Sequence, residues 1–343
     1  MLRDVSNVNN WHFAMLNDVD RNAKFDLAIR EAVAALAPEV GRVRVLDLGA
    51  GSGLLSMMAA RAGADKVYAV ERSALLSQLG PETLRRNGFG VGPGERVSWL
   101  AKSSRDVALA DLDGAPCDVL VSETLGVTVL DEQALGFMAD ARARLLRARA
   151  RAPGGGAYAT IPRRVTTVAA VIRCDDLHEL LHVDRAAGFD VRGVNSLRQG
   201  GGDGMRRSSR DFGFMLREVP HEIVAGPFEI FTIDFATDNA TQFEGLRVVR
   251  AGRARSAGAI HAVVAWFEAD LNPSGSISLS TSPWAPDNSF ARQQHWGQLL
   301  HVLPVDESGP SHVRAGDTIE LSTSVTEKHI VFDKVHITPA TAA

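Results

Sequence analysis

The sequence predicts an α/β protein in two parts, a parallel sheet covered by helices followed by a mostly antiparallel β-barrel-like half. Three observations carry that prediction. Between residues 43 and 123 short β-rich runs alternate with helical segments, an order that gives parallel pairing and a sheet covered on both faces. A glycine-rich turn, Asp47-Leu48-Gly49-Ala50-Gly51-Ser52-Gly53, joins the first of these runs to a helix. After Pro153-Gly154-Gly155-Gly156 the helical pattern gives way to β segments joined by turns.

Each element has its own signal. Met15, Val19, Ala23, Leu27, Val33 and Leu36 recur at helical intervals, so one or two helices span 11–36, ended by Pro38 and Gly41. Val43 to Leu48 reads as the first strand, Leu54 to Ala62 as a helix and Lys66 to Glu71 as the second strand. A third strand falls near Val97 to Ala101, a fourth at 118–123, and an arginine-rich helix at 133–151. Segments 165–172, 228–235, 259–271, 318–325 and 330–337 favour strands. Between the first two of these runs an excursion over 173–227, with a polar glycine-rich centre at 199–210, separates the strands. The expected divisions are 1–40 for N-terminal helices, 41–152 for a Rossmann-like domain and 153–343 for the β half.

Composition narrows the classes. The 343 residues are 45% hydrophobic and 23% charged with a formal net charge of −4, ordinary for a soluble globular chain and no pointer to nucleic acid. Cys117 and Cys174 are the only cysteines and lack metal-ligand spacing, so neither zinc, another metal nor a disulfide framework is expected. The first residues lack the basic start and apolar run of a secretory signal, and no apolar run approaches the roughly 18 residues of a membrane span. The expectation is a cytoplasmic protein. Thirty-two arginines against five lysines match the codon bias of a GC-rich, bacterial genome.

Glycines let a backbone approach a ligand closely, and an acidic residue ending the second strand can accept both hydroxyls of a ribose. Glu71 stands there, 22 residues after Gly49, so a nucleoside site is expected at Asp47, Gly49, Gly51, Gly53 and Glu71. A dinucleotide fingerprint would read G-x-G-x-x-G, whereas these glycines fall at every second position. That spacing resembles the S-adenosylmethionine loop of class I methyltransferases, which implies that cofactor and S-adenosylhomocysteine as product.

The stretch 121-VSETLGVTVLDEQAL-135 carries Glu123 at a strand's carboxyl end, where ligand chemistry occurs in such sheets, and Glu132 nine residues later. Two adjacent carboxylates repel unless they share a cation. A planar guanidinium, with several N–H donors, can donate a bidentate pair of hydrogen bonds to each.

Here the resemblance becomes specific. SETLGVTVLDE resembles the double-glutamate loop of the protein arginine methyltransferase family, 15-MLNDVDRNAKFDLAI-29 its N-terminal helix motif, VLDLGAGSGLLSMMAARAGADKVYAVE its first cofactor motif, and 293-QQHWGQLLHVLP-304 its histidine-tryptophan loop. The similarity spans roughly 11–337 and keeps the motifs in order. It implies that Arg21 grips the cofactor carboxylate, Gly49 and Gly51 line the cofactor, Glu71 holds the ribose and Ser104 lies near adenine. By the same resemblance Glu123 and Glu132 clamp the substrate guanidinium, Gln294 and Trp296 border it, His295 approaches Asp18, and Met15 packs beside the transferred methyl. It also implies a homodimer in which a helical arm, here 173–227, docks on a partner, and a cofactor lid formed by the N-terminal helices.

Departures from the family pattern matter as well. The tyrosine-rich segment that many members carry before the methionine-leucine motif is missing, Tyr68 and Tyr158 being the only tyrosines. Gln294 replaces a frequent threonine, and Ala134 stands where dimethylating members often carry methionine; both resemble the monomethylating, type III branch. Nω-monomethylarginine is therefore the expected product. Compact length and the bacterial bias favour free L-arginine in a small-molecule, natural-product pathway over an arginine-containing peptide or protein. A non-catalytic binding module and a nicotinamide-dependent oxidoreductase are the competing classes, disfavoured by the intact acidic residues and by the glycine spacing.

Overall fold

The computed structural model describes residues 11–147, 159–198, 211–286, 296–305 and 309–340. Two helices open it, α1 (Trp11–Asn17) and α2 (Val19–Val40). Asp18 caps α2, its carboxylate accepting the Arg21 backbone N–H at 3.0 Å. Phe25, Ala28, Ile29, Val33 and Leu36 recur every three or four residues and form the buried face of α2. Pro38 falls in its last turn and Gly41, at φ 73°, closes it.

The first sheet uses β1 (Arg44–Leu48), β2 (Lys66–Val70), β3 (Val97–Leu100), β4 (Val119–Ser122) and β5 (Ala159–Ile161), in the spatial order β3-β2-β1-β4-β5. Every pair is parallel. The helices α3 (Leu54–Arg61), α4 (Ala74–Arg86) and α5 (Ala134–Leu145) lie between the strands in the chain. Strand order reverses between β1 and β4, the place where open α/β sheets hold ligands. Leu48 lies opposite Val70 on one side and Ser122 on the other, so the loops that follow all three strands emerge side by side. β5 lies beyond the 153–156 break at which the sequence starts the second half. Only three residues long, it offers too short a pattern to be read from sequence.

The second half is antiparallel. β6 (Arg164–Arg173) is followed by the excursion, which holds α6 (Asp175–Leu181) and a small hairpin of β7 (Arg185–Ala186) and β8 (Phe189–Asp190). Its far end is not arm but strand. β9 (Asp211–Phe214) joins the edge of a sheet that also contains β10 (Glu222–Asp234), β13 (Ala262–Asp270), β14 (Ser278–Ser280) and β15 (Gln298–Val302), in the order β10-β6-β13-β15-β9 with β14 beside β13.

β11 (Leu246–Arg253), β17 (Thr318–Val325) and β18 (Ile330–Thr338) form a second sheet, and β12 (Gly258–Ala259) pairs with β16 (His312–Val313). Arg250 ties the two larger sheets together by donating to the carbonyls of Glu229 at 2.6 Å and Ile230 at 3.3 Å. One continuous apolar core joins both halves, from Phe25 and Val45 to Phe267 and Ile319. Arg142 of α5 pins them from outside, donating to the carbonyls of Phe235 at 2.6 Å and Asp238 at 2.8 Å. Among the described residues no helix is long and apolar enough to cross a membrane.

Candidate active site

A cavity of about 490 Å³ opens where β1, β2 and β4 end. Its wall includes Met15 and Arg21 from the N-terminal helices, Gly49 and Gly51 from the glycine loop, Glu71, Ser104, Glu123 and Glu132. Residues separated by more than a hundred positions in the chain thus face one space.

The glycine loop is held by Gly49 and Ala50, whose N–H groups donate to the Val70 carbonyl at 2.9 and 3.0 Å. Gly49 has φ 75°, and a Cβ there would sit 2.8 Å from Thr124 Cγ2. Only glycine lets the cofactor-side loop and the glutamate loop lie this close. Glu71 is buried and reaches back over the loop, accepting Gly51 N–H at 3.0 Å and Ser73 N–H at 2.6 Å. Asp47, fully buried below the turn, accepts Ser56 Oγ at 2.6 Å while its other oxygen finds no donor among the described residues. Burial pushes its carboxyl up to about 7, against the pull of Ser56.

Glu123 follows β4 directly, and the Ser122 hydroxyl donates to the Leu48 carbonyl at 2.8 Å, fixing the strand end beside β1. The Glu123 carboxylate forms an ion pair with the Arg21 guanidinium, both side chains being 4% exposed. Arg21 Nη1 donates to Asn22 at 2.6 Å, and the guanidinium lies 5.4 Å from the Phe25 ring centre. Its Nε is buried and finds no acceptor among the described residues. A buried donor left unpaired is costly, and an anionic ligand group reaching this point would satisfy it.

Glu132 stands open to the cavity, yet the surrounding protein strips enough water from its carboxyl to push it up to about 7. Repulsion from Glu123 and Asp131 adds to the effect, and Arg72 opposes it. Two carboxylates from one loop therefore face the same cavity. Such a pair is built to receive a cationic ligand group.

Not every expected residue lines the cavity. Asp18, Asp47, Gly53 and Trp296 stand behind its wall: Gly53 opens α3, and Trp296 is 3% exposed and donates from its indole to the Leu125 carbonyl at 2.7 Å. Phe267 meets the same indole edge-on, with ring centres 5.2 Å apart. Trp296 thus braces the glutamate loop from the β half. Gln294 and His295 lie outside the described residues. The cavity wall also contains residues that no motif singles out: His12, Arg72, Lys102, Asp131 and Phe137. Asp131 adjoins Glu132 in the acidic stretch and Arg72 adjoins Glu71, so sequence neighbourhood was the available signal. Lys102 is engaged by Asp111 at 2.8 Å. Among the described residues no group of histidine, cysteine and carboxylate side chains could hold a metal ion.

Comparisons with known proteins bear on this geometry. The sequence model described as the arginine methyltransferase oligomerization subdomain matches residues 168–338, and that of ribosomal protein L11 methyltransferase matches 31–122. The arginine N(omega)-methyltransferase of Streptomyces achromogenes subsp. streptozoticus is 31% identical over 316 residues, which cover 92% of this chain and 76% of the relative. Protein arginine N-methyltransferase 7 of Danio rerio is 27% identical over 333 residues, covering 94% of this chain but 45% of that protein, so the chain spans under half of that relative's length. Among solved structures, the Trypanosoma brucei PRMT1 enzyme-prozyme heterotetrameric complex with AdoHcy superposes with a TM-score of 0.71 at 20% identity, covering 98% of this chain and 99% of that one. That likeness is one of fold.

Proposed function

The chain belongs to the arginine methyltransferase family, and from that premise we propose that it methylates the guanidinium of free L-arginine once, giving Nω-monomethyl-L-arginine. It is an S-adenosylmethionine-dependent arginine N-methyltransferase. The observation that supports a guanidinium substrate is the pair Glu123 and Glu132 in one cavity with Arg21, Glu71 and the glycine loop.

The residues present fit the cofactor. Arg21 Nε is a buried donor with no acceptor among the described residues, suited to the carboxylate of its amino-acid end, and Glu71 offers a carboxylate for the ribose hydroxyls. Gly49 and Gly51 leave the loop without side chains to obstruct it, with Ser104 at the rim and Asp47 supporting the turn from below. When bound, S-adenosylmethionine supplies a methyl group activated by a positive sulfur.

Glu123 and Glu132 do the rest by position and charge. Held between two carboxylates, the guanidinium loses its freedom to rotate, and one nitrogen is turned with its lone pair toward the methyl carbon. Met15 closes the wall beside that point. The cofactor would supply the methyl with its own sulfur as the leaving group, and the nitrogen that receives it would shed a proton. Glu132, with its carboxyl near 7, is suited to take that proton. Asp18 and Trp296 are proposed to hold the helix and the glutamate loop in place.

Ala134, fully buried at the start of α5, supports a single methylation by resemblance to monomethylating members. The substrate choice rests on the Streptomyces relative. The similarity to protein arginine N-methyltransferase 7 favours the second reading, methylation of arginine in a peptide or protein. The match of the oligomerization subdomain, together with Leu180, Phe189 and Val194 exposed on the excursion, supports a homodimer formed through its first part, 174–198. The two substrate readings separate in one experiment: incubation with isotopically labelled S-adenosylmethionine and either free L-arginine or an arginine-glycine peptide, followed by mass spectrometry. Label in free arginine as a single methyl supports the proposal; label in the peptide alone replaces it with the second reading.

A further inference from the structure

Away from the cavity, the root of the excursion contains three imidazoles packed as a stack. His178 of α6 lies between His182, with ring centres 5.0 Å apart and planes at 12°, and His261, at 4.7 Å and 13°. His261 precedes β13 and is 6% exposed. A small void bordered by Leu177, Leu181, Asn195 and Val302 lies against the rings.

The hydrogen bonding fixes the charge state. The backbone N–H of Cys174, the residue that caps α6, donates to His261 Nδ1 at 3.1 Å. That nitrogen is therefore an acceptor, and the neutral ring carries its proton on Nε2. A cap N–H is one of the donors that a helix leaves unpaired, so the imidazole completes the start of α6. The Asp175 carboxylate waits 3.7 Å from the same nitrogen.

We propose that this stack is a pH-sensitive latch that holds the root of the excursion only while its histidines are neutral. Protonating His261 on Nδ1 turns the acceptor into a donor, so the Cys174 N–H is expelled and the imidazolium turns toward Asp175. Protonating His178 puts a charge between two rings. The groups facing the stack are Asp175 at His261, Asp184 at 3.2 Å from His182 Nε2, and Arg173 and His312, whose positive charge opposes a proton on His261. Burial holds both His178 and His261 below the usual histidine value, with the neighbouring rings adding to the effect on His178. The sign follows. Because the folded latch binds protons less readily than the opened one, it is closed above an ordinary histidine pKa of about 6.5 and opens as pH falls below it.

The consequence is an excursion whose attachment to the β half weakens in mild acid while the sheets stay intact. The inference rests on the fold and not on the choice of substrate. Hydrogen exchange of the full chain tests it, comparing segment 174–183 at about pH 7.5 and about pH 5.5 after correction for the intrinsic exchange rate. Protection there is expected to fall about tenfold for each histidine that must charge, while β6 and β13 keep theirs. His178→Phe, which keeps a flat ring and removes a charge, should retain protection at the higher pH and lose most of the response. Equal protection of the wild type at both values overturns the latch, as does an unchanged response in both His178→Phe and His261→Gln. Should His178→Phe not fold, the nitrogen shifts of wild-type His261 decide: titration below about 6.5 supports the latch, and titration at or above that value overturns it.

Discussion

Replacing Glu123 by glutamine tests the site where its two roles diverge. Glu123 is buried to 4% exposure in an ion pair with Arg21, and it is also one of the two carboxylates proposed for the substrate guanidinium. Glutamine keeps the size and one acceptor oxygen but loses the charge. Removing one charge from a buried, hydrogen-bonded pair costs about 2–5 kcal/mol. At 1.4 kcal/mol per tenfold, kcat/KM for L-arginine should fall by roughly 30-fold to several thousandfold. Cofactor binding should respond differently. Arg21 loses its internal counter-charge, so its guanidinium becomes more available to the cofactor carboxylate, and affinity for S-adenosylhomocysteine should hold or rise. Calorimetric titration with S-adenosylhomocysteine and a methyl-transfer assay on the same preparation read the two quantities. A variant within about threefold of wild-type turnover would refute the clamp. Parallel loss of binding and turnover would refute the separation of roles.

Other expectations follow from the same geometry. With the Glu132 carboxyl pushed up to about 7, kcat/KM for arginine should rise about tenfold per pH unit until it levels near that value, because the ionised form binds the guanidinium. Glu132→Gln should be slow and lack that limb, and a wild-type profile flat through this range would exclude the assignment. Gly49→Ala must place a Cβ 2.8 Å from Thr124 at φ 75°, so S-adenosylhomocysteine affinity measured by calorimetry should drop about tenfold or more; unchanged affinity would show that the loop has slack. Trp296→Phe leaves the Leu125 carbonyl without its donor, at a cost of about 1–3 kcal/mol, and should lower turnover more than cofactor affinity. Equal effects on both, or on neither, would mean that the indole does not position the glutamate loop.

The two-part architecture was legible because its signals are local. A strand, three glycines and a helix lie within twenty residues, and Gly49, Gly51 and Gly53 all adopt positive φ in the structure. Glu71 and Glu123 were legible for the same reason, each following a strand of a parallel sheet. β17 needed only its alternation, and Thr318–Val325 shows that alternation in its burial. What escaped the sequence depends on distant partners. Nothing near Arg21 in the chain announces an ion pair with Glu123, 102 residues away. Trp296 read as a substrate neighbour, yet it turns into the core because its indole finds the Leu125 carbonyl and the edge of Phe267. The end of the excursion read as arm, while 211–214 was claimed by the free edge of β15. The stacked histidines needed α6 and the start of β13 to be brought together, a meeting no periodicity encodes.

The claim at the centre of this account is that Glu123 and Glu132 jointly hold a guanidinium beside the cofactor. A crystal structure of the protein with S-adenosylhomocysteine and L-arginine tests it most directly. The guanidinium nitrogens are expected within hydrogen-bond reach, about 2.7–3.2 Å, of both carboxylates, with Arg21 on the cofactor carboxylate. An arginine bound elsewhere in the cavity, or touching only one of the two glutamates, would contradict it.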